Sequence, residues 1–119
     1  MRRKHCDLEV WKESIALMKS VYTVTAMFPV AEQYGLTSQM RRAAVSIPCN
    51  IAEGASRNSR MQLLQFLYIA RGSLSELETQ IIIAKELGYS ANQEELEARV
   101  EKTFALLSAL IRSLQRKKA

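Results

Sequence analysis

Side chains able to do chemistry are sparse in this chain. His5 is the only histidine, and Cys6 and Cys49 stand alone with no CxxC spacing. A zinc site needs about four Cys, His or acidic ligands at close spacing, so no metal site is expected. Gly54, Gly72 and Gly88 are isolated, and neither a GxxxxGK phosphate loop nor a GxSxG elbow occurs. Glu53 and Glu76 carry the right group for a general base, but a single carboxylate on a helix is ordinarily solvated or ion-paired. The chain therefore reads as a non-enzyme without cofactors. Its two cysteines read as reduced thiols of a cytoplasmic protein.

Two other sets of residues have a pattern. Gln39, Arg42, Ser46, Asn50 and Glu53 form a polar stripe at helical spacing. It lies about 130° round from an apolar stripe of Met40, Ala44, Ile47 and Ile51. The polar stripe holds few of the Lys and Glu residues of a free surface. Three readings follow: a polar network that fixes register between helices or subunits, a solvated face, or a ligand site. The first is preferred, since buried polar groups of this kind specify pairing more than they stabilise it. The second set is cationic. Arg2, Arg3 and Lys4 open the chain, Arg57 and Arg60 flank a connection, and Arg116, Lys117 and Lys118 nearly close it.

The elements that position these residues follow from a 3.6-residue period, which recurs four times. The first helix is expected over 8–28, with Asp7 as N-cap; Pro29 and Gly35 punctuate the connector. The second is expected over 38–55, with Thr37 as N-cap and a kink at Pro48, whose missing N–H removes a ladder bond. The third starts near Ser59, where Ser59 and Gln62 spell a capping box, and ends at Leu87 with Gly88 as C′. The fourth begins after Asn92, which with Glu95 offers a similar cap, and runs to about Gln115. No alternating strand pattern appears. Short connections between long helices imply antiparallel neighbours. The expected fold is all-α: an up-down-up-down antiparallel four-helix bundle, as a single domain over 1–119 with short basic tails. At 119 residues and 48% hydrophobic composition, such a chain can bury a core without staples.

Two helices carry more apolar surface than one bundle needs. The first has a stripe of Leu8, Trp11, Ile15, Met18 and Tyr22, and another of Val10, Leu17, Val21, Val24 and Phe28. The third has a seam of Leu63, Phe66, Leu67, Ala70, Leu74, Leu77, Ile81 and Ala84. Roughly opposite lie Met61, Tyr68, Gly72, Ser75, Thr79 and Ile83. Gly72 mid-helix costs about 1 kcal/mol against Ala unless something packs close to it. Surplus apolar surface predicts a homo-oligomer.

The net charge is +5, from 17 Lys and Arg against 12 Asp and Glu. Residues 37–72 hold five Arg and one Glu. In the expected topology the basic groups share one pole, while Glu32, Glu86, Glu94, Glu95 and Glu97 share the other. Arginine binds phosphate bidentately, and such contacts track a backbone without reading its sequence. The longest charge-free stretch is 12 residues, against about 20 for a membrane span, and no apolar run follows the basic start.

Three separated blocks carry a family resemblance: DLEVWKES (7–14), YGLTSQMRRAAVSIPCNIAEGASR (34–57) and FLYIARGSLSELETQ (66–80). Together they resemble the four-helix-bundle proteins encoded in intervening sequences of bacterial 23S rRNA genes. The resemblance implies a homopentameric ring and an association with ribosomal RNA. It offers no catalytic residues, and it singles out Arg41, Arg42, Asn50 and Glu53 as assembly positions. The resulting expectation is an oligomeric protein binding structured RNA through Arg2, Arg3, Lys4, Arg57, Arg60, Arg116, Lys117 and Lys118. The alternative is a ring-forming adaptor that docks a protein partner.

Overall fold

The computed structural model describes residues 3–89 and 93–116. Four helices account for most of them: α1 (Glu9–Thr25), α2 (Leu36–Ala55), α3 (Arg60–Glu86) and α4 (Glu94–Arg116). Short helical turns over Lys4–Asp7 and Val30–Glu32 precede α1 and α2, and no strand occurs among the described residues. Helices adjacent in sequence pack together, and α4 closes the cycle against α1. Cross-contacts run in opposite residue order along neighbours. Ser46 meets Ser73 while Gly54 meets Phe66; Lys85 meets Glu97 while Tyr68 meets Gln115.

The core follows the heptad-like spacing. Met40, Ala44, Ile47 and Ile51 of α2 are fully buried, against Leu67, Ala70, Leu74, Leu77 and Ile81 of α3. α4 adds Leu96, Val100, Leu107 and Ile111. α1 adds Val10, Leu17 and Val21, with Phe28 just beyond it. The other stripe of α1 is less of a surplus than its pattern suggests. Leu8, Trp11 and Met18 are half-buried against the same core, and Tyr22 is exposed. The face of α3 opposite its seam does remain open, with Met61, Tyr68 and Ile83 exposed.

Several boundaries differ from the sequence reading. Asp7 does not cap α1. It ends the Lys4–Asp7 turn, and Leu8 occupies the N-cap with no side-chain bond. The turn bonds Cys6 N to Arg3 O and Leu8 N to His5 O, which moves the helix start on to Glu9. α1 ends at Thr25, because the chain tightens through Met27 N to Val24 O and Phe28 N to Thr25 O before Pro29. Thr37 is buried inside α2, which starts at Leu36; the cap comes from outside, as Leu36 N donates to Glu32 Oε1 at 3.0 Å. α2 continues through Pro48. Ser59 caps α3 by accepting from Gln62 N at 3.2 Å. Gly88, at φ 73°, closes α3 with Tyr89 N on Ala84 O and Gly88 N on Lys85 O, the paired bonds of a Schellman end. Asn92 lies outside the described residues.

Glu32 does a second job. Its other oxygen accepts from Tyr89 Oη at 2.7 Å, tying the α1–α2 connector to the end of α3. The Leu36 amide, then the Tyr89 hydroxyl, hold the Glu32 carboxyl below its ordinary 4.5, and the Glu32 carboxylate holds Tyr89 above its ordinary 10.0. A lowered carboxyl pKa gives stability present above pH 4.5 and lost as pH falls through the folded value. A raised phenol pKa gives stability present below pH 10 and lost as pH rises through the folded value. Tyr89→Phe should therefore flatten the alkaline arm of the stability–pH curve and soften the acid arm, because the Leu36 bond persists. Urea melts across pH check this.

Gly54 allows a close approach of α3 to α2. A Cβ built there would lie 2.8 Å from Phe66 Cβ and 3.3 Å from Leu63 O. Gly54→Ala should cost about 1–3 kcal/mol by overpacking, read as a lower urea midpoint.

Candidate nucleic-acid interface

The connection between α2 and α3 places two of the expected cations a few residues apart. Arg57 N donates to Gly54 O as α2 ends, and Arg60 opens α3. Arg57 is partly spent: its Nη2 pairs with Glu53 Oε2 at 2.8 Å and its guanidinium lies 5.1 Å from the Phe66 ring centroid. Arg60 is exposed, as are Arg3 and Lys4 beside the first turn, which packs against α1 and α2. Arg116 is exposed at the end of α4. Its neighbour Gln115 donates to Tyr68 Oη at 2.8 Å, which sets this end about 12 Å along α3 from Arg60. Among the described residues none of Arg3, Lys4, Arg60 and Arg116 joins an ion pair. Arg2, Lys117 and Lys118 lie outside the described residues.

Arg41 and the polar stripe of α2 resolve into separate contacts. Arg41 faces α1: its Nε donates to Thr25 Oγ1 at 2.9 Å, its Nη2 to Tyr22 O at 3.4 Å, and it lies 4.5 Å from the Tyr22 ring centroid. A cation on the last carbonyls of α1 also complements the helix dipole. Ser46 faces α3, and Asn50 bonds back to Ser46 within α2. Ser46 Oγ meets Ser73 Oγ at 2.9 Å, and Asn50 Nδ2 donates to Ser46 O at 2.8 Å and Oγ at 2.9 Å. Glu53 makes a surface pair with Arg57. Gln39 and Arg42 stand outside the network, exposed on the outward side of α2 away from Met40, Ala44 and Ile47. Among the described residues of one chain, the contacts of the stripe thus centre on Ser46 and Asn50.

One strong polar contact escaped the sequence reading. Glu13 is only 7% exposed, and its carboxylate meets Arg99 Nη1 at 3.1 Å and Lys102 Nζ at 3.4 Å, joining α1 to α4. The signal was present, since Glu13 and Ser14 sit at the i+3 and i+4 positions between the core residues Val10 and Leu17. His5 rests edge-on against Trp11, with centroids 5.1 Å apart. Among the described residues no group of His, Cys, Asp or Glu could hold a metal ion, and no helix is long and apolar enough to cross a membrane.

Four cyclically packed helices, cross-linked by short polar contacts, define an all-α four-helix-bundle protein. The 23S rRNA-intervening sequence protein family model matches residues 6–109, and the chain belongs to that family. A crystal structure of a protein with unknown function from the S23 ribosomal protein family of Bacteroides thetaiotaomicron has the same fold. Its TM-score is 0.78 at 21% identity, covering 87% of this chain and 95% of that one. No curated protein matches the chain.

The Asn50 contacts give a direct expectation. Asn50→Leu removes two donated bonds and leaves Ser46 and Ser73 with each other. Stability should fall by about 1 kcal/mol, measured by urea melting, with helicity by circular dichroism unchanged.

Proposed function

We propose that this chain is a non-enzymatic, self-associating protein that binds structured RNA through its basic end. The observation that carries this reading is the set of exposed cations at that end, Arg3, Lys4, Arg60 and Arg116, which have no acidic partner among the described residues. Arg57, already paired with Glu53, exchanges that partner for phosphate. Arg2, Lys117 and Lys118 extend the same charge along the chain ends. Phosphate contacts of this type release counterions, so affinity falls steeply with salt.

Self-association is supported by the outer face of α3. Met61 is 70% exposed, Ile69, Ile82 and Ile83 are exposed, and nothing lies within 4 Å of a Cβ built on Gly72. A helix-interior glycine with open space above it loses helix propensity without return inside the single chain. A sister chain packed there supplies the return. In a closed ring of such chains, five by family resemblance, the basic ends add their charge. The same exposed face could instead seat another protein, as an adaptor would.

Titrating an RNA hairpin at low and moderate salt tests the RNA reading. Affinity should drop steeply with salt, and Ala at Arg3, Lys4, Arg57, Arg60 and Arg116 should flatten the log–log slope by about one per lost contact. Salt-independent affinity, or full affinity after all eight cations are removed, overturns it. Native mass should exceed one chain. Ile69→Glu with Ile83→Glu should reduce it to one chain without unfolding. A wild-type monomer at every concentration refutes self-association.

A further inference from the structure

At the opposite end of α2 from Arg57, a groove of about 590 Å³ lies between the end of α1 and the start of α2. Tyr34, which is 91% exposed, and the exposed Tyr22 contribute aromatic rings; Arg41 and Arg42 contribute guanidinium groups; Thr37 and Ser38 contribute hydroxyls. Among the described residues no acidic residue lines it. The nearest carboxylate in sequence, Glu32, is engaged by Leu36 N and Tyr89 Oη. Arg41 is held in place by Thr25 and the Tyr22 carbonyl and uses two of its five N–H groups there. Arg42 is exposed and joins no ion pair among the described residues. The groove therefore offers fixed and free positive charge beside exposed rings, in a volume suited to one small group.

Rings beside guanidinium groups are what an unpaired nucleotide needs: a face for the base to stack on and a fork for the phosphate. We propose that this groove binds an unpaired nucleotide of single-stranded RNA, its base on Tyr34 and its phosphate on Arg42. Arg42 and Arg57 are 15 residues apart in the sequence, about 22 Å along a helix. The groove is thus a second contact, separate from the basic end. It rests on RNA as the partner but on different residues. The basic end follows phosphates of folded RNA; the groove takes a base that has left its helix.

The test uses the full chain and a single-stranded RNA of about eight nucleotides, read by fluorescence polarisation and by quenching of tyrosine emission. Tyr34→Ala should weaken binding by about tenfold and remove part of the quenching. Arg42→Ala should lower the salt slope by about one. Both side chains are exposed, so the melting curve should not move. Ala at Arg57 and Arg60 should weaken hairpin binding but leave the quenching intact, which separates failure of the basic end from failure of the groove. Wild-type affinity in both Tyr34→Ala and Arg42→Ala overturns the proposal. So does a fall in native mass in either variant, which would assign the groove to a neighbouring copy of the chain.

Discussion

The contact between α2 and α3 is the constraint on which the other features depend. It is possible because Gly54 has no side chain where Phe66 Cβ and the Leu63 carbonyl approach, and because the connection over 56–59 is too short for the helices to part. Met40, Ala44, Ile47 and Ile51 then interleave with Leu67, Ala70 and Leu74 at full burial. Each such side chain is worth about 1.5–3 kcal/mol relative to exposure. A surface pair such as Glu53–Arg57 contributes about 0.5 kcal/mol. Burial therefore decides that the two helices pair, and polar contacts decide in which register. The Ser46–Ser73 contact adds little energy but is lost if the helices slide, and Asn50 braces the Ser46 hydroxyl from within α2.

α1 and α4 join this pair by a different balance. Their contact includes Glu13, whose carboxylate is taken out of water and returned two cations, Arg99 and Lys102. Desolvation of a buried charge costs several kcal/mol, so the pairing compensates rather than adds. Losing one partner is more damaging than losing the whole set. Arg41 plays the comparable part between α1 and α2, with the difference that it is half-buried and binds carbonyl and hydroxyl oxygens instead of a carboxylate. Charge thus directs which helix faces which, while the aliphatic seam supplies the cohesion.

Much of this was legible in the sequence, and the failures have physical causes. The four helices were readable because apolar side chains recur at a period only a helix can bury on one side. The end of α3 was readable because Ser59 and Gly88 use local bonds, and local bonds depend on neighbours in sequence. The start of α2 was not, because its cap is the side chain of Glu32, supplied by a connector whose own turn is not periodic. Asp7 was misread because a preceding turn had already claimed the local amides. Of the polar stripe, Ser46 meets Ser73 across the helices and Asn50 meets Ser46, whereas Gln39 and Arg42 have the same spacing but no hydrogen bond or ion pair among the described residues. Periodicity reports a side chain's face, not what lies opposite it. The Tyr34–Arg42 groove was invisible for that reason, since Tyr22 reaches it from another helix.

The distribution of charge along α2 connects the fold to what it presents. Arg41 and Arg42 sit near one end, Arg57 just beyond the other, and between them the helix buries its apolar stripe. A rigid helix holds the two cationic zones at a fixed separation of about 22 Å. A flexible linker of the same length would let them collapse or drift. For the proposed RNA partner, stiff and with one unpaired base, such a separation would let both contacts form without the ordering cost of bringing them into line. Under the proposed RNA reading, Gly54 and the short connection after it bear on recognition as well as stability. They fix the direction in which α3 leaves, and with it the position of Arg60 relative to the groove.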